Sequence, residues 1–363
     1  MTNLTTKFHE FQSRLISKKE ISREETRSNL STKYQDITVA AQELAKSGGL
    51  SLKHMRSWSK QDDMGVPIQI RRFLVPDEFY YENILRFIRG LIPNYWMRTH
   101  FQRKALEDDL NIVIKSGFES ILKEHPVTKT PFARDIYCQR GFKFNSRYLR
   151  YVYMAGQIRK NKLLKEDTYQ VHVDVGNFYG GLQALLKSYF PMTTFISVEL
   201  EHQLFRSYIF HQYMFPNTPQ IVGLTEFEEY SKNRNIRESA FIYLLPDDFD
   251  FIDKHSEVNL LTNHLSYGEM SRTNFRNYHL SATTLNAEKI HLVNRFVSSP
   301  FIDPTYDSDV TVFDYPLSSH KITYFDVFPI HHYMIIKGKL LNNFGFRNSS
   351  SPQFEMILER LDD

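Results

Sequence analysis

Two regimes of apolar spacing divide the chain. Up to about residue 160, apolar positions recur at intervals of three and four, the period of a helix with one buried face. Phe8, Phe11, Leu15 and Ile16 carry that spacing through a polar, charge-rich stretch over residues 5 to 47, and a second helical stretch from Tyr34 stops at Gly48 and Gly49. This predicts an N-terminal helical arm that packs on a partner subunit or on its own body. Asp77 is placed to cap a helix in which Tyr80, Ile84, Leu85, Phe87 and Ile88 repeat before Gly90. A further helix is predicted over Arg103 to Lys123, and another from Asn145 or Ser146 that turns Leu149, Val152 and Tyr153 inward.

From Gln170 the pattern changes to short apolar runs separated by amphipathic stretches. QVHVDV (Gln170 to Val175), TFISVEL (from Thr193 or Thr194 to Leu200), AFIYLL (Ala240 to Leu245), VNLLTN (Val258 to Asn263) and KIHLVNRF (Lys289 to Phe296) read as buried strands, spaced for helices between them. Such alternation predicts an α/β fold, a Rossmann-like, doubly wound and mostly parallel sheet. The expected organisation is a helical N-terminal region over 1–160 and a Rossmann-like domain over 161–363.

The first strand of that sheet carries the first chemical signal. It ends in Asp174 and is followed by Gly176, Gly180, Gly181 and the helical ALLKSYF. Glycines let a backbone turn sharply and approach a ligand, and the helix behind them presents free N–H groups. Glu199, at the end of the next strand, is where a carboxylate can accept ribose hydroxyls. A carboxylate beside the glycine loop repels a pyrophosphate but suits the cationic methionine part of S-adenosylmethionine, so that cofactor is favoured over a dinucleotide.

In such a sheet the ligand lies beyond the carboxyl ends of the strands. Asn263, His264, Ser266, Tyr267 and Glu269 on one loop, with Asn294 and Arg295 on the next, are therefore expected to face it. His264 is the candidate general base, since imidazole titrates near neutrality. Glu269 also fits a capping box with Ser266. Arg140, Lys143, Arg147, Arg150, Arg159, Lys160, Lys162 and Lys165 occur without one acid between them. Such a run is ordinarily a solvated helix face; alternatively, Arg147 and Arg150 hold the phosphates of an acceptor.

Composition narrows the picture. The 45 basic and 42 acidic residues leave a formal charge of +3, too near balance to imply a nucleic-acid or membrane surface. Cys138 is the single cysteine, which excludes a disulfide framework, and no run resembles a signal peptide or a membrane span, so a cytoplasmic protein is expected. His331 and His332 lack the spacing of a metal site, although Asp314 or Asp326 are available as further ligands.

Four segments, VDVGNFYGGLQALLKSYFP, ISVELEHQLFRSYIFHQYMFP, LLTNHLSYGEM and IHLVNRF, are similar in order and spacing to the bacterial sugar O-methyltransferases found among genes for surface polysaccharides. The match spans about Asn145 to Lys337, and NxxSxxEM, Asn263 to Met270, is its most distinctive part. The resemblance implies a class I methyltransferase fold, S-adenosylmethionine as cofactor and a sugar, nucleotide-sugar or glycan hydroxyl as acceptor. It also makes Glu269 a candidate base, assigns cofactor contacts to Asp174, Gly176, Gly180, Glu199 and Asn263, and leaves a divalent metal open. Acceptor contacts are expected from Arg147, Arg150, Tyr267 and Arg295.

This chain departs from the family at two places: Gly176, Asn177 and Phe178 replace a run of three glycines, and Glu199, Leu200 and Glu201 replace Asp-Leu-Pro. The ring of Phe178 is expected where the backbone approaches the cofactor. A second reading follows, a catalytically degenerate Rossmann scaffold in a polysaccharide-assembly complex, with the N-terminal helices offering a homodimer contact. A third, a nicotinamide-dependent oxidoreductase, is disfavoured by Asp174 and by the lack of a compact GxGxxG.

Overall fold

A computed structural model describes residues 4–15, 104, 106–127, 137–232, 238–270, 272–273, 275–276, 278, 286–298, 309–315, 319–330 and 352–361. The predicted helices after Tyr34 and Asp77, together with Phe8, Ile16, His331 and His332, lie outside what is described. The chain divides into two compact units, one of residues 1–38, 157–328 and 351–363 and the other of residues 39–156 and 329–350.

The elements, in chain order, begin with α1 (Leu4–Leu15), α2 (Glu119–Glu124), β1 (Tyr137–Gln139), β2 (Phe142–Phe144) and α3 (Ser146–Lys160). The sheet region follows with β3 (Gln170–Val175), α4 (Gly181–Tyr189), β4 (Thr193–Val198), α5 (Glu201–Met214), β5 (Gln220–Val222), α6 (Gly223–Lys232) and β6 (Phe241–Leu244). It ends with β7 (Leu260–His264), β8 (Lys289–Arg295), β9 (His320–Val327) and β10 (Gln353–Arg360).

In the second unit the helix predicted over Arg103 to Lys123 is divided. Residues 106–115 are helical, Gly117 takes φ +80, and α2 restarts beyond it. A left-handed residue closes one helix and re-aims the next. The side chain of Asn145 accepts from the Tyr148 N–H at 2.8 Å and caps α3, whose Leu149, Val152 and Tyr153 are buried as expected.

The first unit is built on an eight-stranded sheet in the order β5-β6-β4-β3-β7-β8-β10-β9. Strands β3 to β8 pair in parallel, and β10 runs antiparallel to both β8 and β9. This is the Rossmann-like class I arrangement, a doubly wound sheet in which β10 runs against the direction shared by β9 and the other strands. All five predicted strands are present. The sequence pattern missed β5, with three residues, and β9 and β10, which alternate apolar with charged positions. α1 packs on β5, α5 and α6 of its own unit. Phe11 and Leu15 are buried there and the Arg14 guanidinium grips both carboxylate oxygens of Glu226, so this face of the arm is covered by its own body.

The two faces of the sheet differ. Val171, Val173, Val175, Ile196, Val198, Leu261, Ile290, Leu292, Phe354, Met356 and Leu358 belong to one apolar core. Successive strand residues alternate in direction, so His172, Asp174, Thr262, His291 and Glu355 point to the opposite face, where all five are buried. One side of the sheet is thus sealed by the hydrophobic effect and the other carries a row of polar groups.

Candidate functional site

β3 and β7 lie at the point where the strand order reverses, and the loops leaving the carboxyl ends of β3, β4 and β7 border the crevice used by ligands in such sheets. Gly176 and Gly180 take φ of +82 and +77, which only glycine adopts without strain. Their missing side chains are not replaced by open space. A Cβ at Gly176 would lie 2.3 Å from the Ser266 Cβ, and one at Gly180 would lie 2.3 Å from the His211 Nε2. Both glycines therefore serve the turn and the close packing of neighbouring elements, which differs from the expectation that they clear a path to a ligand.

The two residues that replace glycines are accommodated in opposite ways. Asn177 turns inward, and its Nδ2 donates to the hydroxyls of Ser197 at 2.7 Å and Ser207 at 3.2 Å. Phe178 holds φ +58 and turns its ring beneath Arg206, whose guanidinium carbon stands 4.7 Å from the ring centroid. Its N–H donates to Oε2 of Glu199 at 3.3 Å, so the loop is tied to the acid at the end of β4.

Asp174 is 3% exposed and accepts a hydrogen bond from the Thr262 hydroxyl at 2.7 Å. Burial pushes its carboxyl up to about 7, and the Thr262 bond only partly offsets this. Desolvation also pushes Glu199 up to about 7. The backbone N–H groups of Leu200 and Phe178 pull it down, and the charges of Asp174 and Glu269 push it up again. Three carboxylates thus converge on one end of the sheet, and two of them resist ionisation until something positive arrives.

The loop after β7 is fastened rather than free. Asn263 is 0% exposed; its Nδ2 donates to the Val175 carbonyl at 2.8 Å, and its Oδ1 accepts from the Tyr267 N–H at 2.9 Å and from Nδ2 of Asn294 at 3.0 Å. It staples the ends of three strands, so the cofactor contact expected of it is replaced by a structural role. Tyr267 is also 0% exposed and packs its ring against Phe275 within the apolar core. Arg295, 9% exposed, directs its guanidinium to the Gly268 carbonyl and to the Glu269 carboxylate, each at 3.4 Å. No side-chain cap forms at Ser266, and Glu269 faces Arg295 instead of closing a capping box.

His264, the candidate base, is held in a histidine pair. Its Nε2 meets the His291 Nδ1 at 3.3 Å, and its Nδ1 is buried without a partner. Burial, with His291 and His172 close by, holds its pKa well below the usual imidazole value. The neighbouring row continues from His291 Nε2 to Glu355 at 2.8 Å, and from His172 Nε2 to the Thr262 hydroxyl at 2.8 Å. Sequence reasoning passed over Thr262, His172, His291, Glu355 and Arg206. The polar letters inside the apolar runs QVHVDV and KIHLVNRF were the available signal for His172 and His291.

Arg147 and Arg150 lie on α3 in the unit of residues 39–156, whereas Asp174, Glu199 and Glu269 belong to the other unit. Arg150 is 8% exposed, so this position is no solvated helix face. Among the described residues no three His, Cys, Asp or Glu side chains cluster as a metal site, and Asp314 is engaged by Arg272 and Thr311. Among the same residues no helix is long and apolar enough to cross a membrane.

No protein-family profile and no curated protein matches this sequence. Among solved structures, the chain is similar to a protein from Galdieria sulphuraria provisionally assigned as a sarcosine dimethylglycine methyltransferase. The two are 11% identical, with 62% of this chain and 91% of that one covered at a TM-score of 0.40. It is also similar to the small RNA methyltransferase HEN1, at 11% identity and a TM-score of 0.40 over 64% of this chain and 27% of that one. A third likeness is to mycolic acid cyclopropane synthase CmaA1, solved with S-adenosylhomocysteine, at 8% identity and a TM-score of 0.34 over 59% of this chain and 85% of that one. The fold assignment rests on the strand order described above and not on these likenesses.

Proposed function

We propose that this chain binds S-adenosylmethionine and transfers its methyl group to a sugar hydroxyl. One observation carries the cofactor: Asp174, at the tip of the switch-point strand β3, and Glu199, at the tip of the adjacent β4, are both pushed up to about 7, so a ligand with positive charge is favoured there and a pyrophosphate is not. Bound there, S-adenosylmethionine supplies a methyl group made electrophilic by its sulfonium. The acceptor class is supported only by the resemblance of Asn263 to Met270 and its flanking segments to the sugar O-methyltransferases.

In this reading Asp174 and Glu199 hold the cationic and ribose ends of the cofactor. Arg295 would set the Glu269 carboxylate at the mouth of the site, where Glu269 would take the acceptor proton as the methyl carbon passes from sulfur to the hydroxyl oxygen, with S-adenosylhomocysteine as the leaving group. A positioned base contributes roughly 10²- to 10⁴-fold. The organisation proposed with it is the helical region and Rossmann-like domain read from the sequence.

A second reading, a scaffold without turnover, is favoured by Glu199, whose two oxygens already accept the Leu200 and Phe178 N–H groups. The readings separate by calorimetric titration with S-adenosylmethionine, followed by the mass gain on nucleotide sugars and glycans. Binding with a gain of one methyl group supports the first, binding without any gain supports the second, and absence of binding overturns the cofactor assignment.

A further inference from the structure

Strand β9 ends the sheet, and among the described residues its outer edge pairs with no strand. It is eight residues long, and Ile322, Phe325 and Val327 are 47%, 46% and 49% exposed. A long apolar edge of this kind is a template for another strand, and folds ordinarily blunt it.

The direction of the free backbone groups can be worked out. Phe328 donates to the Gln353 carbonyl at one end of the β9–β10 ladder, and Leu361 donates to the Ser319 carbonyl at the other. Hydrogen-bonded and non-bonded pairs alternate in an antiparallel ladder, and the register shifts once, between Ile357 and Leu358, leaving Thr323 as the extra residue. Counting inward from both ends, the N–H and C=O groups of His320, Ile322, Phe325 and Val327 all point away from β10, and the Val327 N–H donates to Oδ1 of Asp326 at 2.7 Å, a bond that a partner strand would have to replace.

Those four positions are symmetric about the point between Thr323 and Tyr324. An antiparallel copy of β9 laid on that dyad sets Ile322 opposite Phe325 and His320 opposite Val327, each pair able to exchange two backbone hydrogen bonds. The bulge also brings Ile322 and Phe325 to the same face, since both stand across from same-face neighbours, Leu358 and Met356. Lys321 then stands opposite Asp326 twice, in the closer non-bonded pairs on the other face. Without the extra residue, outward groups and side-chain faces would fall out of register.

We propose that β9 is a homodimer edge, joining two copies of this chain through an antiparallel β9–β9 pair centred between Thr323 and Tyr324. The occupant is a second copy because apolar, charged and backbone groups are all self-complementary about one dyad. An unrelated partner strand would need no such symmetry.

Sedimentation of the full-length chain should show a dimer at about 100 μM or below. Lys321→Glu and Asp326→Lys, each placing like charges opposite one another twice, should weaken it roughly tenfold or more, and the double exchange should restore it. In a Cys138→Ser background, Lys321→Cys and Asp326→Cys chains mixed and oxidised should cross-link to each other. Neither should cross-link alone, because identical positions stand several residues apart across the dyad. Circular dichroism confirms that each variant is folded. A monomer at every concentration, a double exchange no better than the single ones, or cross-linking between identical positions overturns the proposal.

Discussion

Burial at the tip of β3 makes Asp174 a poor anion, and the same holds for Glu199 at the tip of β4. An unfolded chain loses the protons of such carboxyls near pH 4, whereas the folded protein keeps them until about 7. Between these limits the folded state binds more protons, so the contribution of both groups to stability falls as the pH rises and is lowest above 7. Asp174→Asn keeps an oxygen for the Thr262 hydroxyl and removes the buried charge. It is expected to raise stability at pH 8 by on the order of 2 kcal/mol, measured by urea unfolding, and to abolish S-adenosylmethionine binding in calorimetry. A variant that gains stability yet binds unchanged would remove Asp174 from the cofactor site. The same reasoning applies to the base. Glu269→Gln should lower turnover by about 10²-fold or more, while His264→Gln, altering a ring whose nitrogens are turned inward, should leave the pH profile of kcat in place. A loss confined to His264→Gln would return the base to the histidine.

Elements meet at two glycines where no other residue fits. Gly176→Ala drives a Cβ into Ser266 and forces a side chain to φ +82, joining a steric clash to backbone strain. Thermal and urea unfolding should report a loss of about 2–4 kcal/mol, with Gly180→Ala similarly costly against His211. These contacts explain what the sequence could reveal and what it could not. The parallel strands β3, β4, β6, β7 and β8 were legible because burial on both faces leaves few charged residues and helices must separate them. β9 was not, because an edge strand open to water carries Lys321 and Asp326 among its apolar residues, and β10, though paired on both sides, has its apolar run broken by Glu355 and Glu359. The glycine loop was legible as a turn, yet the atoms that fill the missing Cβ positions come from Ser266 and His211, far along the chain. Asn263 and Tyr267 were legible at a strand end, but the hydrogen bonds and packing that bury their side chains were not. A one-dimensional pattern locates a loop but not the direction in which its side chains are spent.

At the scale of the molecule, the buried imidazoles and the buried carboxyls set opposite demands on pH. His172 and His211 are held at about 3, and His264 well below its ordinary value, by burial that disfavours the imidazolium. In the unfolded chain these rings take protons as the pH drops below about 6.5, so the folded state loses stability from there downward. The carboxylates of Asp174 and Glu199 act the other way, costing stability as the pH climbs from about 4 towards 7. Below about 6.5 the imidazoles, His320 among them, outweigh two carboxyls, and from there to about 8, where the lowered Lys187 begins to lose its proton, the carboxyls dominate, so stability against pH should peak at about 6.5–7. Saturating S-adenosylmethionine, by drawing both acids into their charged forms, should carry the peak above 7. Thermal unfolding across pH 4 to 9, with and without the cofactor, checks both statements, and Asp174→Asn should flatten the alkaline side without altering the acid limb. A peak unmoved by cofactor, in a protein that binds it, would mean that the ligand's positive charge lies away from Asp174 and Glu199. The polar row would then serve the fold alone.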